Sequence, residues 1–529
     1  MLGSSGVRRR IWLWAIVGLA AFVILAAVAI VAAVPLTSDA LRHRMIDTLS
    51  ARLDADVALG DLHWRVFPTV HASGSSLTIR RRGRSDSRPL ISIERFTVDA
   101  RLSGLLRKRV RHVTVEGLEI AIPPNDNPSP EAEARDTHPA GTSDAQQPVE
   151  EGVVIDTLDA DGAQILTIPR DRNKAPKVWA VHSLRVHNVG AGQGMPFRAT
   201  LTNAVPPGEI DTTGTFGPWL PAKPGDSGLS GTFTFARADL SVFHGISGTL
   251  SAKGSFGGTL NRIDVTGETE TPDFALRLTG QPFPLHAKYR AIVDGTNGDT
   301  RLDRIDAAFL ESSLVAKGSV IDAAPGVRGR IVTLDIVMDR ARIEDVMRMA
   351  VKGKTPMRGA LKLNTKFVLP PGEADVPERL RLDGNFAVAR VEFTSYDVQG
   401  KINELSRRSR GQVDQPQGRV ASNFEGRFRL GDGRLTLPSL TFAVPGAQVQ
   451  LAGRYALKPE TLDFQGQLLM DAKVSQTQTG IKSLLLKAID PLFNRRGGGS
   501  SIPIQIRGTR SSPDFGLDVR RVFRRGDKS

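Results

Sequence analysis

The chain has 529 residues, 40% of them hydrophobic, a formal net charge of +14 and no cysteine. That much apolar content supports a substantial core and excludes wholesale disorder, while the lack of cysteine excludes disulfides, thiolate metal sites and a cysteine nucleophile. The positive balance points to an anionic environment, either membrane phosphate or nucleic acid.

Residues 11–34 (IWLWAIVGLAAFVILAAVAIVAAV) form an uncharged run. As a helix it would rise roughly 36 Å, enough to span a hydrocarbon core with some tilt. Ala27-Val28-Ala29 offers a signal-peptidase pattern, but the apolar run continues past it and is too long for a signal core, so an uncleaved anchor is expected. Arg8, Arg9 and Arg10 precede the run and Trp12 and Trp14 lie near its start, which orients the N-terminus inside and the body outside.

Residues 36–53 have helical spacing, with Leu41, Met45, Leu49 and Leu53 on one face. Alternating strands separated by Gly, Ser and Pro follow to residue 122. Residues 123–151 lack aromatics, are rich in Pro, Asp, Glu and Ala, and read as a disordered linker or insertion. Beyond them a Gly-x-aromatic motif recurs at Gly214-Thr-Phe216, Gly231-Thr-Phe233, Gly254-Ser-Phe256, Gly384-Asn-Phe386, Gly426-Arg-Phe428 and Gly453-Arg-Tyr455. Its irregular spacing suggests a degenerate stack of hairpins. Short helices are expected at 342–351, 402–408 and 479–493. The divisions that result are 1–35 (cytoplasmic tip and anchor), 36–122 (helix plus strands), 123–151 (linker), 152–320 and 321–529 (two strand-rich segments).

The fold class expected is mainly β: an N-terminal transmembrane helix, then a long curled antiparallel sheet forming a hydrophobic groove, with a few short helices. So many strands cannot stay one open twisted sheet without curling, splitting or closing. In the stretch LTLPSLTFAVPGAQVQLAGRYAL, the residues Leu435, Leu437, Leu440, Phe442 and Val444, then Val449, Leu451, Tyr455 and Leu457, mark the greasy face. Phe233, Phe235, Leu314, Leu361, Leu363, Phe386 and Val388 are candidates for the same wall upstream.

Chemistry is scarce. No HExxH, GxSxG or P-loop pattern occurs, and no catalytic, cofactor or metal residues are assigned. His182 and His187, five apart on a strand, are expected on opposite faces. The oxygen-rich turn 294–300 (DGTNGDT) is read as an Asn-Gly hairpin turn in preference to a weak calcium site. Two basic clusters, Arg80, Arg81 and Arg82 with Arg84, and Arg107, Lys108 and Arg109 with Arg111, are candidates for anionic headgroup contact. A solvated edge-strand face that discourages strand addition is the preferred reading of them, and an exported body has little nucleic acid to meet.

Several stretches resemble the AsmA-like family: KINELSRRSRGQ (401–412), GRYALKPETLDFQGQLLMDAKVSQTQTGIKSLLLKAIDPLF (453–493), IPIQIRGTRSSPDFGLDV (502–519), and the region 272–320 that begins PDFALRLTGQPF. The N-terminal order of anchor, short helix and LGDLHWRVFPTVHASGSSLTI is similar too. The resemblance implies an inner-membrane-anchored periplasmic protein whose long sheet bends into a lipid-holding groove, related to bridge-like lipid-transfer proteins. It implies phospholipids as partners, a role in lipid transport or outer-membrane homeostasis, no enzymatic activity and no cofactor. The alternative expectation is a scaffold or assembly factor whose partner is an outer-membrane or other envelope protein.

Overall fold

Asp432 and Gly433 both take left-handed φ (50° and 66°) between two runs of alternating apolar residues. That geometry matches the right-handed strand twist and folds Ser422–Gly431 back on Arg434–Val444. Pro445 and Gly446 (φ 85°) make the next reversal, pairing Arg434–Val444 with Ala447–Ala456. Repeated along the chain, such reversals build a meander in which each strand pairs with the one before and after it. The computed structural model describes residues 38–53, 55–65, 70–81, 88–101, 103–104, 107–122, 153–168, 176–190, 193–220, 223–277, 280–324, 327, 329–350, 353–372, 374–394, 396–410, 420–473, 498–509 and 512–517. Within them 26 strands form one sheet. With 68% strand and 11% helix, the molecule is mainly β, a long curled sheet with few helices.

The sheet is mixed, where an antiparallel one was expected. Arg109–Glu116 and Glu119–Ile122 pair in parallel with Val154–Thr167. A parallel neighbour needs a connection of a dozen residues or more, and the stretch between these strands supplies it. All other pairings are antiparallel, and the strand Ser312–Asp322 runs unbroken across the boundary placed at residue 320.

Bulges explain why apolar residues are only mostly spaced by two. Register shifts fall between Phe235 and Ala238, Met338 and Ala341, Val388 and Val391, and Leu437 and Leu440. Each inserts one extra residue, so an i, i+3 step keeps both apolar side chains on the same face. Arg237 and Arg390 sit inside two of these bulges at φ 54°.

Three helices pack on the apolar face. Ser38–Leu53 places Met45 and Ile46 against a core of Leu62, Phe96, Val113 and Val115. Ile343–Ala350 places Ile343, Val346 and Met349 over Phe283, Phe309, Leu361 and Val388. Tyr396–Ser409 lays Ile402 and Leu405 over Phe442 and Val444. These correspond to the helices expected at 36–53, 342–351 and 402–408. The expected segments at 11–34, 123–151 and 479–493 lie outside the described residues, among which no helix is long and apolar enough to cross a membrane.

Candidate functional site

Cross-strand partners project to the same side of a sheet, so the register can be followed from strand to strand. One such row begins at Trp64, opposite Ala72, and continues through Val98, Val113, Leu158, Val186 and Phe197. It then crosses Gly214, Gly231, Phe256, Val265, Ala291, Leu302 and Gly318. Leu334, Phe367, Leu382, Leu430, Leu435, Tyr455, Leu462 and Gly508 complete it. Every member is apolar or glycine, apart from the polar tips of Trp64 and Tyr455. At about 4.8 Å per strand the row runs on the order of 100 Å along the sheet. From Leu158 to Leu462 all its members except Ala291 are half-buried, flanked by neighbours on the sheet. Phe256, Leu302, Leu334, Phe367, Leu382 and Leu435 belong to none of the three helix-covered cores.

The residues proposed as a greasy wall fall on this same face. Phe233 opposes Gly254; Leu363 opposes Phe386; Leu440 opposes Leu451; Leu435 opposes Tyr455; Leu437 opposes Gly453. Phe235, Leu314 and Val449 share the face, and Leu457 follows the last strand residue, Ala456. Four of the set are covered. Leu361 and Val388 are 3% exposed beneath Ile343–Ala350, and Phe442 and Val444 are 8% exposed beneath Tyr396–Ser409, so they serve as core. Leu314, Leu363, Phe386 and Val449 are half-buried at the edges of these cores, and the uncovered part of the wall lies toward the other margin, on and beside the row above.

The Gly-x-aromatic motif has a role that its spacing did not reveal. In Gly228–Asp239 and Thr249–Thr259, Gly231 opposes Phe256 while Phe233 opposes Gly254. In Arg381–Phe393 and Ser422–Gly431, Gly384 opposes Phe428 while Phe386 opposes Gly426. Phe256, Phe233 and Phe386 lie over the neighbouring strand's glycine: a Cβ added at Gly231 would meet Phe256 Cζ at 2.8 Å, one at Gly254 would meet Phe233 Cε1 at 3.0 Å, and one at Gly426 would meet Phe386 Cε1 at 3.3 Å. Aromatic cover of a glycine shields exposed backbone and pins register. Tyr289 does the same over Gly267, and burial raises its pKa, keeping the phenol neutral. Two consecutive strands carrying the motif in antiparallel order are the sequence signal for this interlock.

The opposite face is polar and ion-paired. His182 and His187 both lie on it, correcting their expected separation, because His182 is itself the extra residue at a register shift between Val181 and Ser183. His182 Nε2 contacts Thr202 Oγ1 at 2.7 Å, and His187 Nδ1 contacts Thr157 Oγ1 at 3.3 Å. Asp159 receives Arg185 Nε at 2.6 Å, and this hydrogen bond, against the opposing effect of burial, holds its carboxyl below the usual range. In the 294–300 turn, Arg330 donates to the Asn297 carbonyl at 2.6 Å and lies 3.7 Å from Asp299. A guanidinium thus fills the place considered for calcium, and no metal-binding group of His or carboxylates occurs among the described residues.

Of the candidate headgroup residues, Arg80 and Arg81 end the strand Val70–Arg81, and Arg107 and Lys108 form the turn before Arg109. Arg109 is engaged by Asp156. Arg82 lies outside the described residues. No known family, characterised protein or solved structure matches the chain.

Proposed function

We propose that the chain binds phospholipid acyl chains along the apolar face of its sheet, as a carrier or conduit and not as an enzyme. In this reading it works from an inner-membrane anchor at residues 11–34, with its body in the periplasm, and contributes to lipid transport or outer-membrane homeostasis. The observation that carries the reading is the stretch of the apolar row from Val186 to Leu462, which lies outside the three helix-covered cores and whose members are all apolar or glycine apart from the Tyr455 hydroxyl. The resemblance to the AsmA-like family agrees with it.

Dimensions and energies are compatible. On the strand Met357–Leu369 the part of this face left open by the helix runs from Leu363 to Leu369, about 20 Å at 3.3–3.4 Å per residue. One monolayer of a roughly 30 Å hydrocarbon core is about 15 Å deep, so an acyl tail fits across this face. Each methylene removed from water contributes about 0.8 kcal/mol, so ten in contact would supply up to about 8 kcal/mol without a shaped pocket.

The test places a charged pair in the row. Leu334 and Phe367 are direct cross-strand partners and half-buried, so Leu334→Glu with Phe367→Arg can pair across the strands and preserve the sheet. Full-length wild type should co-purify with phospholipid detectable by mass spectrometry and should move a fluorescent phospholipid between vesicles. The double variant should fold and transfer at least about tenfold more slowly, as expected for desolvating charge against hydrocarbon. A folded variant that transfers like wild type, or a wild type free of lipid, overturns the reading.

A further inference from the structure

The polar face has its own continuous row. His63 opposes Ser73, then Thr97, Thr114, Asp159 and Arg185 follow in register. Arg198, Thr213, Thr232, Ser255, Thr266 and Arg290 continue it. Two depressions lie on this line. One, of about 430 Å³, is bordered by His63, Ser73, Thr97 and Thr114. The other, of about 1120 Å³, is bordered by Arg198, Thr213, Thr232, Ser255, Thr266 and Arg290, with Lys253, Glu268 and Lys288 beside them. Hydroxyl-bearing residues therefore recur at the strand spacing, about 4.8 Å, across both hollows.

We propose that this face is a second binding surface, for an extended anionic glycan lying across the strands. Three features select that ligand class. Charge is the first: Lys253 is paired with Glu268 at 2.8 Å, and the larger hollow is bordered by the cations Arg198, Lys253, Lys288 and Arg290 but by only two carboxylates, Asp211 and Glu268, which leaves it net positive. The second is mixed polarity. Asp211 and Glu268 border the same hollow and, as acceptors only, suit a ligand that brings hydroxyl donors as well as negative charge, as a glycan does and a polyphosphate backbone does not. The third is the position of the rings. Phe233 and Tyr289 are turned to the other side, over Gly254 and Gly267, so nucleobases find no stacking platform here. The proposal does not depend on what the apolar face holds.

Fluorescence anisotropy with the full chain tests it, using a labelled oligogalacturonide, a neutral maltooligosaccharide of equal length, and polyphosphate as probes. The galacturonide should bind about tenfold or more tightly than either of the others. Lys288→Gln with Arg290→Gln should weaken it by about tenfold or more, since each lost contact is a hydrogen bond to a charged group. Thr232→Val with Ser255→Ala, which keeps the strands well formed, should weaken it at least threefold, roughly the loss of one neutral hydrogen bond. The apolar-face pair Leu334→Glu with Phe367→Arg should leave it unchanged, which separates this surface from lipid binding. Equal or tighter binding of polyphosphate means charge alone is read and overturns the proposal. So does the absence of galacturonide binding by wild type, or full binding by either polar-face variant.

Discussion

Substituting Gly254 by alanine tests whether the interlocked glycines and rings set the approach of neighbouring strands. The new Cβ would lie 2.3 Å from the Thr266 carbonyl oxygen, 2.9 Å from Gly267 Cα and 3.0 Å from Phe233 Cε1. The ring can turn away, but the oxygen and the Cα are backbone of the next strand, so the strands themselves must part. Overpacking of this kind costs about 2–3 kcal/mol, or roughly 30–150-fold in the local opening equilibrium. Phe233→Ala, removing a half-buried ring, should cost about 2 kcal/mol, around half the value for a fully buried phenylalanine. The double variant should retain most of the Gly254 penalty because the backbone contacts survive, giving a coupling under about 1 kcal/mol. At Gly426 the corresponding approaches are looser, 2.5 Å to Ser439 O and 3.3 Å to Phe386 Cε1, so alanine there should cost less. Gly431 has nothing within 4 Å and serves as the neutral control. Hydrogen exchange by mass spectrometry, read on peptides from 228–276 and 381–444, resolves these sites separately in a sheet whose strands contact only near neighbours. Exchange in Gly254→Ala within about threefold of wild type, or a Gly426→Ala effect larger than the Gly254→Ala effect, would refute the argument.

Asp345, 8% exposed, accepts from Ser312 Oγ at 2.7 Å and the Glu311 backbone N–H at 3.1 Å, tying the Ile343–Ala350 helix to the sheet. Asp345→Ala should cost about 2–3 kcal/mol and speed tryptic cleavage at Arg348 at least tenfold, and an unchanged rate would show that apolar packing alone holds the helix. Asp159 is held below the ordinary carboxylate range chiefly by its hydrogen bond to Arg185, so its contribution is present above its unfolded pKa and lost as pH falls through the lowered folded value. Arg185→Gln should therefore melt below wild type near pH 6, and the gap should narrow as both are scanned down to about pH 3, because only the wild type loses the Asp159 contribution on acidification; a gap that stays constant or is absent throughout would count against the pairing.

The strand-rich character, three helices and the chemistry of the two faces were legible because alternation and turn residues are local signals. The bulges were not. Leu437 and Leu440 break a two-residue period in a way that sequence reads as noise, whereas the register shift between them keeps both on one face. The same kind of shift brought His182 and His187 together. Nor could alternation separate Leu361 from Leu363, which are two apart on one strand. Tertiary packing distinguishes them: Leu361 is buried in the core beneath the helix at 343–350, whereas Leu363 stays half-buried at the edge of that core. The parallel junction at Val154–Thr167 was missed because its cause is the length of a connection and not the composition of either strand.

The interlocked pairs also bear on how the apolar face could hold a ligand. Where Phe256 lies over Gly231 and Phe386 over Gly426, a large side chain covers a residue that has none, and the surface keeps low relief. Gly214 and Gly318 extend the same shallow floor along the row. A face of this kind offers dispersion and burial everywhere and a deep pocket nowhere, so affinity scales with the length of chain in contact. Removing any single wall residue, for example by Leu302→Ala, should then change lipid binding less than about threefold, since one truncated side chain deletes only a small part of the contact. A charged pair at Leu334 and Phe367 acts differently, because hydrocarbon passing that point must desolvate it. Insensitivity to truncation combined with sensitivity to inserted charge is the signature of a path along which tails slide. A pocket enclosing one lipid would give the reverse: a steep loss on truncating one or two lining residues, and little effect from charges several strands away.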